Sequence, residues 1–268
     1  MKPYIRAIYF LIILTVLDFF FRKGFVFHFI PIQLPRVITI FILFSLFAIL
    51  SYLVTKWFCR SDKINLYDLG ISLNSNNRIE FLYGFLVGVG LWAIVSWIQS
   101  ISAGFSWVLR PEINTSNIIY GLVFIFIADL GTELFTRGYP LTKFEESFGP
   151  MMAISIMVLF VGLRSISFEN EGELLLYAIL IPSIHTIFFS IVYFKTRRLG
   201  ASLGLHTGAN FVTISIFDLR EAQPNQAIPS GIFQSNVDLE SLSLTALQLP
   251  WVFTALVFSY VVYFWWKK

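Results

Sequence analysis

The chain has 268 residues, of which 57% are hydrophobic, 18% aromatic and only 13% charged, at a mean hydropathy of +0.75. Soluble domains carry about 25% charged residues, so 30 phenylalanines could not be covered by polar surface in water. This excludes a soluble enzyme, a disordered tail and a nucleic-acid-binding domain, and leaves a polytopic membrane protein.

A membrane span needs about 20 mostly apolar residues, and eight stretches qualify, at roughly 7–21, 37–58, 81–102, 117–137, 150–168, 174–194, 200–217 and 247–266. Lys2 and Arg6 precede the first stretch and no small-residue cleavage site follows it, so it reads as an uncleaved span rather than a secretory signal. The single Cys59 excludes an internal disulfide and reads as an ordinary thiol near a membrane surface. Leu141 to Phe148, with Lys143, Glu145 and Glu146, fits a short interfacial helix between the fourth and fifth spans. The longest polar stretch runs from Asp218 to about Gln248. Pro224, Asn225, Pro229, Ser230 and Gly231 mark it as an irregular loop. The prediction is an all-α bundle of about eight transmembrane helices with no room for a second domain. Residues 1–79 hold two spans and their connection, 80–217 the core, and 218–268 the loop and last span.

The placement of Lys and Arg sets the expected orientation. With the N-terminus inside, Lys2, Arg6, Lys56, Arg60, Lys63, Arg78, Arg137, Lys143, Lys195, Arg197, Arg198, Lys267 and Lys268 collect on the cytoplasmic side. Only Arg22, Lys23, Arg36, Arg110, Arg164 and Arg220 fall outside. Both termini are expected in the cytoplasm, and the closing Tyr-Phe-Trp-Trp-Lys-Lys, an aromatic belt followed by cations, agrees.

Ionisable groups inside spans are costly and face the bundle interior, so each is a functional lead. Asp129, Glu133 and Arg137 follow at four-residue spacing on one face of the fourth span, with Glu133 and Arg137 in the favourable order for an ion pair. Arg164 lies near the end of the fifth span, about 21 Å along it if the helix starts at its first residue. His206 and Asn210 stand one turn apart on the seventh, where Gly200, Gly204 and Gly208 at four-residue spacing predict close helix packing. His185, midway along the sixth, is a further titratable group.

These clusters, in this order, resemble the CAAX protease and bacteriocin-processing family of intramembrane endopeptidases. That family carries Glu-Glu-x-x-x-Arg, Phe-x-x-x-His and His-x-x-x-Asn on successive core helices. Here the motifs read Thr132-Glu133-Leu134-Phe135-Thr136-Arg137, Phe160-Val161-Gly162-Leu163-Arg164 and His206-Thr207-Gly208-Ala209-Asn210. The resemblance covers roughly residues 80 to 217, with a weaker echo at Asp68-Leu69-Gly70-Ile71. It implies an intramembrane peptidase of the bacterial cytoplasmic membrane. The first Glu and the first His would activate water, and the last His and Asn would stabilise the oxyanion. Glu133, Arg137, His206 and Asn210 match that pattern, but Thr132 replaces the first Glu and Arg164 the first His.

A general base must take up a proton near working pH. Thr132 cannot do so, and Arg164 is permanently protonated and is no metal ligand. The expectation is a catalytically impaired member that binds a membrane peptide or serves a membrane-protein complex. Arg164 is then expected to pair with Glu133 or Glu169, or to snorkel to the interface beside Glu169, Glu171 and Glu173. A rescued protease using Asp129 or Glu133 as base is the first alternative, and a small transporter or lipid-handling protein with a polar path through the bundle is the second. No cofactor is implied with certainty. The resemblance admits a divalent metal, yet His206 with one carboxylate falls short of the three protein ligands of a catalytic zinc site.

Overall fold

In the computed structural model, residues 1–22, 25–28, 34–72, 74–166, 171–217 and 231–265 are described. Lys23, Glu169, Arg220, Lys267 and Lys268 lie outside them, as does the predicted loop up to Ser230. The chain forms the helices α1 (Pro3–Phe21), α2 (Arg36–Asp62), α3 (Ser75–Ala103), α4 (Thr115–Thr136), α5 (Tyr139–Phe148), α6 (Pro150–Arg164), α7 (Gly172–Thr196), α8 (Leu199–Phe211) and α9 (Leu244–Trp265). A short antiparallel pair, β1 (Trp107–Leu109) with β2 (Phe233–Ser235), ties the α3–α4 connection to the segment before α9.

Among the described residues, six stretches are long and apolar enough to cross a membrane: α1, α2, α3, α4 continued through α5, α7 and α9. The other two expected spans are the 15-residue α6 and the 13-residue α8, both short of about 20 residues. The span-length rule presumes a helix that meets lipid, and α8 does not. Every residue from Leu199 to Leu205 is buried in protein, and the helix continues into a π-helical turn at Val212–Ile216.

The α4–α5 break follows from local chemistry. Arg137 leaves the helix in an extended conformation, and Gly138 takes φ +59°, a region open to glycine. Pro140 then sits in the first turn of α5, where its missing N–H costs nothing. The resulting α5 covers the predicted interfacial stretch, with Tyr139, Leu141 and Phe144 buried.

Glycines set the central packing. A Cβ on Gly204 or Gly208 of α8 would overlap the Phe81 or Phe85 backbone of α3, and one on Gly84 or Gly88 of α3 would overlap the α8 backbone. The predicted small-residue stripe is therefore a helix-packing face. Asn77 locks the same junction: its Oδ1 accepts from Gly200 N at 3.0 Å, while its Nδ2 donates to Gly70 O at 2.9 Å and Ser72 O at 2.6 Å.

A second tie gathers α1, α2 and α5 at one end of the bundle. Asp62, at the end of α2, is paired with Arg6 of α1, lies 3.3 Å from Lys143 Nζ of α5, and accepts the Tyr139 hydroxyl at 2.9 Å. Nearby, Arg197 follows α7 and forms a two-pronged pair with Glu145 at 2.5 and 2.6 Å. These bonds hold its pKa above the ordinary value.

Candidate functional site

α4 and α8 face each other with their polar groups in register. Glu133, fully buried, accepts Arg137 Nη1 at 2.5 Å and lies 2.9 Å from His206 Nδ1, both through Oε1. One turn earlier, Asp129 accepts Asn210 Nδ2 at 2.8 Å through Oδ1, which also lies 3.6 Å from His206 Nε2. The imidazole thus bridges two carboxylates on successive turns of α4. Phe189 of α7 fixes the far side: its ring stacks on His206 at 4.8 Å and lies 5.1 Å from the Arg137 guanidinium. Such contacts lock a rotamer as well as a charge.

The structure therefore brings Asp129, Glu133, Arg137, His206 and Asn210 together. Thr132 and Arg164 belong to a different network, which turns to α1. The Thr132 hydroxyl accepts Arg22 Nη1 at 2.9 Å and donates to Ala128 O at 3.0 Å. Arg164 grips Asp18 with two bonds, Nη2 at 2.7 Å and Nε at 3.1 Å, and its guanidinium lies 4.8 Å from the Phe135 ring. Arg22 Nε, 3.5 Å from the same carboxylate, joins the two halves.

The expected pairing of Arg164 with Glu133 is thus corrected: its partner is Asp18. Glu133 already has Arg137 and His206, whereas Asp18 is 2% exposed inside α1 and needs a cation. Glu169 lies outside the described residues, and Glu173 accepts the Thr245 hydroxyl of α9 at 3.4 Å. Sequence reasoning missed Asp18 and Arg22. The signal was present, because Asp18 is a lone carboxylate in the run Leu11–Phe21.

A cavity of about 340 Å³ opens beside His206 and Asn210. An apolar groove of about 1010 Å³ runs along the other side of α4, between α2, α3 and α8, lined by Phe81, Phe126, Ile127, Leu130, Leu134 and Leu203, with Arg78 also on its wall. The donor set does not suit a catalytic metal. The Arg137 cation sits on Glu133, both ring nitrogens of His206 face carboxylates, and among the described residues no group of three His, Cys, Asp or Glu side chains is placed to hold an ion.

No curated protein and no solved structure matches the chain. One family model does, over residues 114–212: Type II CAAX prenyl endopeptidase Rce1-like. The match runs from the N-cap of α4 to the end of α8 and contains all five residues of the α4–α8 cluster, so this segment of the chain is similar to the Rce1-like type II CAAX prenyl endopeptidases.

Proposed function

We propose that this is a multi-pass membrane protein that uses a CAAX-peptidase frame to bind a membrane-embedded prenylated peptide, alone or as part of a membrane-protein partner, with little or no hydrolysis. The observation that carries the reading is the network of Thr132, Arg22, Asp18 and Arg164. At the two positions where the family activates water, this chain places a hydroxyl and a guanidinium, and commits both to α1. A base contributes about 10²–10⁴-fold to such a reaction, and neither group accepts a proton. The binding half of the frame is retained: the apolar groove suits a prenyl chain, and the polar cavity beside His206 suits the peptide. The distribution of Lys and Arg supports cytoplasmic termini, and the family resemblance supports a bacterial cytoplasmic membrane as the setting of this reading.

A second reading, hydrolysis through the α4–α8 cluster, is favoured by one observation. His206 lies between Asp129 and Glu133 and lines an open cavity, so the proton of an attacking water there could pass to a carboxylate through the imidazole. Fluorescence anisotropy with a labelled farnesylated peptide, run beside mass spectrometry of the same peptide, separates the two. The first reading expects saturable binding to the protein in nanodiscs and an intact peptide. Cleavage that disappears in both Glu133→Gln and His206→Ala overturns it in favour of the second, and absence of any binding overturns both.

A further inference from the structure

The cavity beside His206 holds polar groups that the α4–α8 cluster does not use. Gln99 of α3 lines it and is 1% exposed. Its Nε2 donates to Leu247 O at 2.5 Å, which fixes the orientation of the amide, since the reverse flip would set two carbonyl oxygens against each other. Its Oε1 is left buried and without a partner. His185 of α7 lines the same cavity with its Nε2 also buried and unpartnered. The imidazole is walled by rings, with Trp92 at 5.5 Å and Trp251 at 6.1 Å.

Buried polar atoms without partners are rare because each forfeits its hydrogen bonds to water. Two of them on one cavity wall mark a place built to receive hydrogen-bonding groups. Their chemistry narrows the ligand. Gln99 Oε1 calls for a donor, and His185 in either tautomer needs one partner of the opposite kind. The walls around them carry no Asp, Glu, Lys or Arg, so a formally charged ligand finds no carboxylate, ammonium or guanidinium there to pair with. A neutral chain offering N–H and C=O groups in alternation satisfies all of this, and the aromatic walls cover its side chains. About 340 Å³ lies at the small end of ligand cavities, enough for a short extended segment and not for a folded one.

We propose that Gln99 and His185 form a peptide subsite in which the Gln99 carbonyl oxygen accepts a backbone N–H and His185 Nε2 bonds a neighbouring peptide group, leading the chain past Trp92 and Trp251 to His206 and Asn210. This rests on the peptide-binding reading above and adds where the peptide lies and what grips it. The two residues are ligand-binding groups on α3 and α7, and Gln99 lies outside the segment matched by the family model.

The test titrates the protein in nanodiscs with a fluorescein-labelled farnesylated hexapeptide amide, and with the same peptide carrying N-methyl groups on successive backbone amides. Gln99→Met keeps the volume and removes the acceptor, while His185→Phe keeps the ring among its aromatic neighbours. Each variant is expected to bind the unmodified peptide about tenfold more weakly, the factor for leaving one buried polar group unpaired. N-methylation at one amide is expected to weaken binding to the unmodified protein by a similar factor and to have little further effect in Gln99→Met. If the unmodified protein binds the peptide, and both variants and all N-methyl peptides bind within twofold of it, the subsite is refuted and peptide binding stands. If the unmodified protein does not bind the peptide, the underlying reading fails and the subsite with it. Should a variant not fold, the N-methyl series on the unmodified protein decides alone, and a flat series refutes the subsite.

Discussion

Replacing Arg164 by Met removes both bonds to Asp18, at 2.7 and 3.1 Å, and leaves a carboxylate whose side chain is 4% exposed. Removing one partner of a buried pair costs about 3–5 kcal/mol. The lower end applies, since Arg22 remains 3.5 Å from the carboxylate and Arg164 itself is 19% exposed, giving about 3 kcal/mol. The converse change, Asp18→Leu, leaves a guanidinium over Phe135 that can reach water along its own stem, and costs about 1 kcal/mol. In the double variant the orphaned charge is gone and apolar side chains fill the space, so the loss is again about 1 kcal/mol. The cycle therefore predicts a coupling of about 3 kcal/mol. It is measured by unfolding the four proteins in mixed micelles with increasing SDS, followed by the fluorescence of the seven tryptophans. Additive losses, with coupling below about 0.5 kcal/mol, would show that Arg164 and Asp18 do not depend on each other and would remove the argument that α1 holds the altered motif.

Gly204→Ala sets a methyl group against the Phe81 carbonyl and is expected to cost about 1–3 kcal/mol in the same titration, whereas Gly90→Ala meets nothing within 4 Å and should gain up to about 1 kcal/mol; equal effects would refute backbone contact as the basis of α3–α8 packing. Asp62→Asn strips the carboxylate shared by Arg6, Lys143 and the Tyr139 hydroxyl. A loss of about 1–3 kcal/mol with faster proteolysis near the start of α1 is expected, and an unchanged protein would show the tie to be idle. Thr132→Glu combined with Arg164→His restores the family residue types and is expected to raise cleavage of a farnesylated peptide about 100-fold over the unmodified chain and over either single variant. No gain in a folded double variant refutes the assignment of these two positions as the missing base.

The membrane class and the α4–α8 cluster are legible in the sequence because each depends on short-range pattern. Apolar runs announce the spans, and Asp129, Glu133 and Arg137 share a face by helical spacing alone. The turn at Gly138-Tyr139-Pro140 is also local, and it leaves its mark as a Gly and a Pro close together. Arg164 shows where such reading stops. Nothing near it in sequence identifies Asp18, which is 146 positions away, while Glu173 accepts the Thr245 hydroxyl. Span length misleads for a related reason. The rule of about 20 residues describes a helix in lipid, while α8 is held inside protein by its contact with α3 and needs no such length. Gln99 stays hidden in the sequence because its meaning lies in the bond to Leu247, which leaves the other end of the amide buried without a partner in a residue that lines a cavity.

The two halves of the site are held by different forces, and this bears on how they respond to change. His206 and Asn210 ride on a helix whose position is set by backbone contact with α3 at Gly204 and Gly208, a packing surface that tolerates almost no displacement. Thr132 and Arg164 are held through charges on α1, which docks by the Asp62 tie at one end and by Asp18 at the other. Electrostatic partners can be exchanged by single substitutions while the packed frame stays in place. A chain built this way can change the residues at positions 132 and 164 without disturbing the cavity, the groove or the bridging imidazole, and under the proposed function that is how a binding site would outlast the water-activating pair. It follows that changes at Asp18, Arg22 or Arg164 should alter stability and chemistry while leaving peptide affinity nearly constant, and that changes along the α3–α8 contact should remove affinity first.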